Sequence, residues 1–359
     1  MKILFAIQGT GNGHVSRARE ILPHLKQHGK VDVLISGIHT EVELGHPVKF
    51  NLHGLGFVFG KKGGVDYLRT YQSLNTRRLL DDIRNFPVSS YDLIVNDFEP
   101  ITAWACKLKG IKSVALSHQS SFLSPNTPTV ADRWGWQSYI LRNYAPTSDQ
   151  VGFHFKKYDN FIHTPVIRSE IRKLEPLNLG HITVYLPAYN HQLLLKYFKK
   201  IPEVRWEVFS KHTKKPYQEA NVNIYPIQNE QYNLSMSRAQ GLLTGGGFEG
   251  PAEALFLGKK LAMIPMHNQF EQLCNAEAAR KMGVRVIDTI DQNFVSNLKA
   301  WLSSSMVLKP YFPDETSKII ADLVQRYGYG EDYKPISDFS PLGAELCHPP
   351  YPHLEHMFF

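Results

Sequence analysis

Residues 241–276 read GLLTGGGFEGPAEALFLGKKLAMIPMHNQFEQLCNA. The apolar pair at 242–243 predicts the end of a buried strand. Glycines occupy 245–247, and residues 252–257 have the composition of a helix. A second apolar run at 261–264 predicts the next strand. The order is therefore strand, glycine loop, helix, strand, which is the repeating unit of a parallel α/β sheet.

The glycine loop of this stretch has two interpretations. A helix N-terminus behind a glycine loop offers free N–H groups and a partial positive charge, which suit a phosphate. Three glycines are also what a plain tight turn requires. The carboxylate of Glu253 on the helix and the segment Glu271-Gln272-x-x-Asn275-Ala276 after the next strand favour a ligand site. We therefore predict that the loop binds a phosphate-bearing ligand.

Length and composition set the broad class. The 359 residues suffice for two domains, and 43% hydrophobic with 20% charged residues is typical of a soluble globular protein. No run approaches the ~20 apolar residues that span a bilayer, and the apolar start at 2–7 predicts a buried strand rather than a signal peptide. Cys106, Cys274 and Cys347 are far apart and most simply reduced thiols. These features predict a cytoplasmic protein.

The charge of the chain is basic, with a net charge of +7 and a pI of about 9.1. This balance favours anionic partners. No helix-turn-helix, zinc-finger or RNA-binding signature accompanies the basic residues, so we do not expect a nucleic acid partner. The aromatic, lysine-bearing segments 57–71 and 134–155 leave open a peripheral contact with an anionic membrane at its inner face.

The chain begins with a βαβ pattern. We predict a strand at 2–7, a helix at 16–28 and a strand at 31–35, with the loop Gln8-Gly-Thr-Gly-Asn-Gly-His14 between the first two. The loop is G-x-G-x-G-H and not G-x-G-x-x-G, and no acidic residue ends the second strand. A nicotinamide or flavin cofactor is therefore not expected.

Two successive sets of strands and helices predict an α/β protein with two Rossmann-like, doubly wound domains facing a central cleft. The first domain spans 1–164, a linker spans 165–180, and the second domain spans 181–307. The remainder, 308–359, contains one helix at 314–327 and an irregular tail. Whether that helix crosses back to the first domain is left open.

With both glycine loops placed, residues 2 to 327 resemble the GT-B glycosyltransferases. The pattern is most similar to the family 28 branch, which includes the enzyme that adds N-acetylglucosamine to lipid I, and to the small-molecule UDP-glycosyltransferases. The matching motifs are a glycine turn, a glutamate on the next helix, a strand ending in proline, an acidic-Gln-x-x-Asn-Ala segment and an N-terminal Gly-His. Here these are Gly245 to Gly247, Glu253, Pro265, Glu271 to Ala276 and Gly13-His14.

The resemblance implies transfer of a sugar from a nucleotide diphosphate, a UDP-sugar, with inversion and without a metal. The nucleotide sugar is a co-substrate, and no other cofactor is implied. The donor would lie on the C-terminal domain and the acceptor on the N-terminal domain. The identity of the acceptor is left open, with a lipid-linked molecule and a glycan as candidates. The implied donor residues are Gly245, Gly246, Gly247 and Phe248 for the diphosphate, Glu253 for the ribose, and Glu271 with Gln272 for the sugar.

His14 is the predicted base of the reaction. Inversion needs a group that deprotonates the acceptor hydroxyl, and histidine titrates near neutral pH. Asp97 ends another strand of the same domain and could orient the imidazole, as in the dyad of the resembled glucosyltransferases. The alternative is that His14 merely caps the next helix, and Glu99 is a second candidate carboxylate.

Further residues are assigned to the acceptor side by the resemblance. His118 and Gln119 match a histidine-containing segment of the family 28 branch, and Gly11, Asn12 and Gly13 form an acceptor or phosphate loop.

Some features depart from the family pattern or suggest another chemistry. Gly245 stands where the small-molecule branch has a histidine, so phosphate binding would rest on backbone groups. Glu271 replaces the usual aspartate, which leaves the sugar open. Histidines and a cysteine in the tail, Cys347-His348 and His353-x-x-His356, fit no standard zinc site. We expect no metal site.

Two other functions share this architecture. One is an epimerase that acts on UDP-N-acetylglucosamine, which would need more carboxylates around the sugar than the sequence offers. The other is a non-catalytic module that binds sugar nucleotides. Glycosyl transfer remains the leading prediction.

Overall fold

The computed structural model describes residues 1–37, 44–54, 76–130 and 135–329. Two seven-stranded sheets with flanking helices form its framework. The segment 57–71, the start of 134–155 and the tail after 329 lie outside the described residues. The predictions for those segments therefore stay predictions. No helix in the described part of the chain combines the length and the apolar character that crossing a bilayer requires.

The first sheet has the order β3-β2-β1-β4-β5-β6-β7, and all of its neighbouring strands are parallel. Its strands are β1 (Lys2–Gln8), β2 (Lys30–Ser36), β3 (Phe50–Leu52), β4 (Leu93–Asp97), β5 (Val114–Ser117), β6 (Asp149–Phe153) and β7 (Ile162–His163).

The second sheet has the order β10-β11-β9-β8-β12-β13-β14, parallel except for the β10–β11 pair. Its strands are β8 (His181–Tyr185), β9 (Arg205–Ser210), β10 (Tyr217–Glu219), β11 (Val222–Pro226), β12 (Gly241–Gly245), β13 (Lys260–Ile264) and β14 (Arg285–Val286).

Helices connect these strands. They are α1 (Asn12–Lys26), α2 (Thr76–Asn85), α3 (Pro100–Lys109), α4 (Trp136–Asn143), α5 (Ser169–Arg172), α6 (His191–Phe198), α7 (Asn229–Arg238), α8 (Glu249–Phe256), α9 (Phe270–Met282), α10 (Phe294–Ser303) and α11 (Thr316–Gly328). Short 3₁₀ turns cover Val88–Ser90 and Gln119–Leu123.

The strand order reverses between β1 and β4 in the first sheet and between β8 and β12 in the second. Crevices at the carboxyl ends of strands form at such reversals, because the helices leave in opposite directions, and ligands bind there. Ile7 at the end of β1 lies opposite Asp97 at the end of β4. The loops that follow β1, β4 and β12 are therefore the ones placed to form a site.

The central strands form because their apolar runs are buried on both faces, as parallel sheets require. Ile3 to Ile7 of β1 and Leu242 with Leu243 of β12 are fully buried. The last helix, α11, packs against α1, and its residues Ile320 and Val324 join the apolar core that contains β1. The chain therefore returns from the second sheet to the first.

The element bounds correct the sequence prediction at places that matter for the site. Helix α1 begins at Asn12 rather than at residue 16, so His14 lies in its first turn and not in the loop. Helix α8 begins at Glu249 rather than at residue 252. Strand β6 (Asp149–Phe153) was not predicted from the sequence. Its sequence, DQVGF, has little apolar pattern, and its pairing with β5 and β7 makes it a strand.

Candidate active site

His14 and Asp97 form a buried pair at the reversal point of the first sheet. His14 Nδ1 lies 2.8 Å from Asp97 Oδ1. The Asp97 side chain is fully buried, and that of His14 is 12% exposed. In the tautomer that carries its hydrogen on Nδ1, His14 donates to Asp97 and keeps the Nε2 lone pair free to accept a proton. The structure thus brings together the two residues predicted as base and orienting carboxylate.

A buried arginine, Arg17, contacts both members of this pair. Arg17 Nη2 donates to Asp97 Oδ1 at 2.6 Å and lies 3.1 Å from His14 Nδ1. Burial alone would raise the pKa of Asp97, but the charges and hydrogen bonds of Arg17 and His14 outweigh it and hold the pKa below its ordinary value. Asp97 is therefore ionised at neutral pH and can stabilise a protonated imidazole.

The other ring nitrogen of His14 faces the second domain. Gln119 Nε2 lies 3.3 Å from His14 Nε2 and donates to Glu271 Oε2 at 3.1 Å. Glu271 is in the first turn of α9, so one amide group joins the imidazole to a carboxylate across the cleft. The predicted base, the predicted acceptor-side glutamine and the predicted sugar-binding glutamate therefore meet at one place.

The glycine loop is held against α9 by Gln272. The Gln272 oxygen Oε1 accepts from the N–H of Gly246 at 3.1 Å and from the N–H of Met266 at 3.0 Å. A Cβ atom on Gly246 would lie 2.7 Å from the Cβ and from the carbonyl oxygen of Gln272, so the close approach requires glycine. Gln272 therefore positions the loop, which the sequence did not predict. Its contact with sugar hydroxyls stays a prediction.

The start of α8 follows this loop directly. Its N-cap is Phe248, and no side chain among the described residues caps it by a hydrogen bond. The N–H groups of a first helical turn have no partner within the helix, so they are available to an anion. Binding of a diphosphate by Gly245 to Gly247 and Phe248 stays a prediction.

His118 and Phe248 form an interior contact between the domains. Their rings stack with centroids 3.8 Å apart, and His118 Nε2 lies 2.7 Å from Asn275 Oδ1. Its Nδ1 lies 2.8 Å from the carbonyl oxygen of Phe153. Burial lowers the pKa of His118, which is 1% exposed. The acceptor-binding role predicted for His118 is therefore not supported by its position.

The ribose-binding role predicted for Glu253 is not supported either. Arg168 binds both of its carboxylate oxygens, with Nε donating to Oε1 at 2.5 Å and Nη2 to Oε2 at 2.8 Å. Glu253 is 3% exposed. Burial alone would lower the pKa of Arg168, but the hydrogen bonds and charge of Glu253 raise it above its ordinary value. The Glu253 carboxylate therefore forms an ion pair with Arg168, which lies in the segment that joins the two sheets.

The Arg168–Glu253 pair supports a stability prediction. Arg168→Met is expected to lower the free energy of unfolding by about 3–5 kcal/mol, because it leaves a buried carboxylate unpaired. Arg168→Met combined with Glu253→Gln should cost less than the single change. Urea unfolding of the full chain measures both. Arg326→Met is the control, because its partner Asp149 and Arg326 itself are 36% and 57% exposed, and it should cost no more than about 1 kcal/mol. Equal costs for the two arginine variants would refute the prediction.

Glu99, the second candidate carboxylate, has a structural role. It is the N-cap of α3, where it accepts from the backbone N–H groups of Ile101 and Thr102. It also accepts from the hydroxyls of Ser36 and Thr102 and is fully buried. The interpretation of Glu99 as a catalytic carboxylate is therefore not supported by its position, since its hydrogen bonds hold the turn after β4.

The N-terminal glycine loop lies against the second domain. Gly11 is the N-cap of α1, with a φ of 98° that favours glycine. Asn12 is the first residue of that helix. A Cβ atom on Gly13 would lie 2.5 Å from Glu249 Oε2, so the start of α1 lies close to the Glu249 carboxylate of α8. The acceptor or phosphate role of these three residues stays a prediction.

Sequence reasoning missed Arg17 and Glu249. Arg17 Nη1 donates to Glu249 Oε1 across the cleft. A signal for Arg17 was present, because residues three apart share a helix face and Arg17 follows His14 by three positions. Glu249 follows the glycine loop directly, but nothing local distinguishes it from an ordinary first-turn acid.

The described residues contain no group of three or more His, Cys, Asp or Glu side chains placed to hold a metal ion. His353 and His356 of the tail lie outside that part of the chain.

Comparison with known protein families establishes the class of enzyme to which the chain belongs. The family model described as glycosyl transferase family 1 matches residues 1–303 of the 359. The chain belongs to this family. It is therefore a glycosyltransferase with the GT-B arrangement of two Rossmann-like domains, as its sequence predicted. No curated protein sequence matches the chain.

Solved structures of this glycosyltransferase fold are similar over nearly the whole chain. MurG of Acinetobacter baumannii is 15% identical with a TM-score of 0.57, covering 91% of this chain and 100% of its own. A UDP-glucosyltransferase of Polygonum tinctorium, in complex with 3,4-dichloroaniline, is 13% identical with a TM-score of 0.57, covering 91% and 93%. UGT89C1 of Arabidopsis thaliana, complexed with UDP, is 14% identical with a TM-score of 0.52, covering 91% and 94%. At these identities the likeness concerns the fold.

Proposed function

We propose that this glycosyltransferase moves a sugar from a nucleotide-diphosphate donor, a UDP-sugar, to an acceptor hydroxyl with inversion and without a metal ion. The observation that carries the proposal is the His14–Asp97 contact of 2.8 Å. The other ring nitrogen of His14, Nε2, lies 3.3 Å from the Gln119 amide, which donates a hydrogen bond to Glu271 of the second domain. A base of the first domain thus faces the domain to which the donor is assigned.

The reaction follows from this arrangement. An acceptor hydroxyl replaces the Gln119 amide at His14 Nε2 and gives its proton to that nitrogen. The hydroxyl oxygen forms a bond to the anomeric carbon while the bond from that carbon to the diphosphate breaks on the opposite face. Asp97 stabilises the imidazolium, since its carboxylate stays ionised. The product is a glycoside of inverted configuration with a nucleoside diphosphate.

The leaving diphosphate is assigned to the glycine loop and the start of α8. Backbone N–H groups and the positive end of the helix dipole would stabilise its charge as the bond breaks. These groups could serve without a cation, which is why we propose a metal-independent reaction. The structural likeness to a UDP complex and to a UDP-glucosyltransferase supports UDP as the nucleotide.

We assign the acceptor hydroxyl to the side of the cleft that holds His14. Its identity is left open, with a lipid-linked molecule and a glycan as the two candidates. Contact of the first domain with an anionic membrane stays a prediction, in line with the basic charge of the chain.

The experiment that tests the function is incubation of the full chain with a panel of nucleotide sugars, with and without candidate acceptors. We expect nucleoside diphosphate release that depends on the acceptor, a product whose anomeric configuration is inverted by NMR, and equal rates with and without EDTA. Donor interconversion without an acceptor would favour epimerisation instead. Binding without turnover for every acceptor, unaffected by His14→Ala, would favour a binding module. A product of retained configuration would contradict the assigned mechanism.

A further inference from the structure

Arg17 is a buried cation that joins the two halves of the site. Its guanidinium contacts Asp97 of the first domain through Nη2 and Glu249 of the second domain through Nη1. The side chain is 2% exposed, and the Nε atom has no hydrogen-bond partner among the described residues. Because it is a planar fork with several donors, a guanidinium can hold two oxygen ligands at once.

Glu249 places a negative charge where the proposed function places the donor diphosphate. It is the first residue of α8 and follows the glycine loop directly. Its carboxylate is so close to the start of α1 that a Cβ atom on Gly13 would lie 2.5 Å from Oε2. It is 23% exposed and so in reach of solvent. An acidic side chain at this position complements the helix dipole, as a phosphate group would.

A bound diphosphate and the Glu249 carboxylate would repel each other. Both are anions and both would lie at the start of α8, so contact between them is unfavourable unless a cation neutralises one of them. Arg17 is the cation in contact with Glu249. The coulombic effects of Asp97, Glu249 and Glu271 raise the pKa of Arg17 against the opposing effect of burial, so the guanidinium keeps its charge.

We propose that Arg17 is a donor-binding residue whose guanidinium leaves Glu249 for the diphosphate of the bound nucleotide sugar while it keeps its bond to Asp97. Glu249 then acts as an internal competitor that occupies Arg17 when no donor is bound. Arg17 and His14 Nδ1 contact the same oxygen of Asp97. Donor binding at Arg17 therefore changes the electrostatic environment of the catalytic base. This inference rests on the proposed function, because it assumes a diphosphate donor.

The test compares UDP with uridine by isothermal titration on the full chain. Glu249→Gln is expected to tighten UDP binding by about tenfold, since the amide no longer competes for a charge-assisted bond. It should leave uridine binding unchanged, because uridine has no phosphate. Arg17→Lys keeps the charge beside Asp97 but loses the fork, and should weaken UDP binding by about tenfold without affecting uridine. The Glu249→Gln gain should shrink when Arg17→Lys is also present.

Glu277→Gln is the matched control. Glu277 is 24% exposed and pairs with an arginine of the same domain, and its substitution removes the same charge. Glu277 follows Glu271 by six positions on α9, which is about 9 Å along the helix axis. Charges beyond about 8 Å are largely screened at physiological salt, so UDP affinity should stay within about twofold in this variant. A gain equal to that of Glu249→Gln would show a general charge effect and overturn the inference.

The remaining outcomes separate the inference from the function. If the wild-type chain binds UDP and Glu249→Gln changes neither UDP nor uridine affinity, the inference fails and the proposed function stands. Equal changes for UDP and uridine would likewise overturn it. If the wild-type chain binds none of UDP, GDP and dTDP, the diphosphate donor itself is wrong, and both proposals fall.

Discussion

Replacing His14 with alanine is expected to lower kcat for sugar transfer by about 10²- to 10⁴-fold, which is the usual contribution of a positioned general base. Donor affinity should change little, because the assigned diphosphate contacts are made by the glycine loop, the start of α8 and Arg17, and none of them by His14. The rate of acceptor-dependent UDP release measures kcat, and isothermal titration measures UDP binding. A loss of kcat without a loss of binding identifies a group that acts in the chemical step.

His28→Ala is the control for this prediction. His28 lies in the connection between α1 and β2, at the amino edge of the sheet and so on the opposite edge from His14. It should transfer sugar at the wild-type rate. If His14→Ala keeps more than about a tenth of the wild-type kcat, histidine is not the base, and its contact with Asp97 is structural.

Asp97→Asn is expected to lower kcat by about 10²- to 10⁴-fold as well, because the amide cannot stabilise an imidazolium and can hold the wrong tautomer. It should also reduce the free energy of unfolding by about 3 kcal/mol, since Arg17 loses a buried carboxylate partner. The two effects have separate causes, so both the rate of UDP release and urea unfolding are measured.

The stability effect has a pH dependence whose sign follows from the pKa of Asp97. Opposing burial, the charges of Arg17 and His14 lower this pKa in the folded chain. The pairing therefore stabilises the fold at neutral pH, and this stability is lost as the pH falls below about 4, the unfolded value, towards the folded value. The wild-type advantage over Asp97→Asn should shrink on acidification through that range.

Asp92→Asn serves as the control for Asp97→Asn. Asp92 directly precedes β4, at the opposite end from Asp97, and accepts from the backbone N–H of Lys2 in an exposed position. We expect the Asp92→Asn variant to match the wild type in kcat and in the pH dependence of its unfolding. Transfer by Asp97→Asn within tenfold of the wild-type rate would show that the carboxylate charge is not needed for the reaction.

Much of the fold could be predicted because its signals are local. A strand was predicted to end at Asp97, and β4 spans Leu93–Asp97. The strands predicted on either side of the glycine loop match β12 and β13 to within two residues. Apolar runs are reliable where a strand is buried on both faces. Strand β6 has no such apolar run, and it forms because it pairs with its neighbours in the sheet.

The candidate site was predicted in part. His14 and Asp97 were expected at one edge of the sheet, since the carboxyl ends of parallel strands share an edge, and the structure brings them into contact. Glu253 and His118 were assigned to ligands by motif, and the structure instead places them in buried contacts with Arg168 and Phe248. A motif describes residue types and spacing, but it does not name the side chains that approach from elsewhere.

The sequence by itself therefore determined the alternation of strands and helices, the two glycine loops and the edge at which His14 and Asp97 lie. Each of these follows from patterns that extend over a few residues, because apolar periodicity and glycine torsions act locally. Only the tertiary structure decided that Arg17 pairs with Glu249, 232 positions away, and Arg168 with Glu253, 85 positions away. These charges are paired because burial penalises a lone ion, and which partner is in reach depends on how the two sheets pack together.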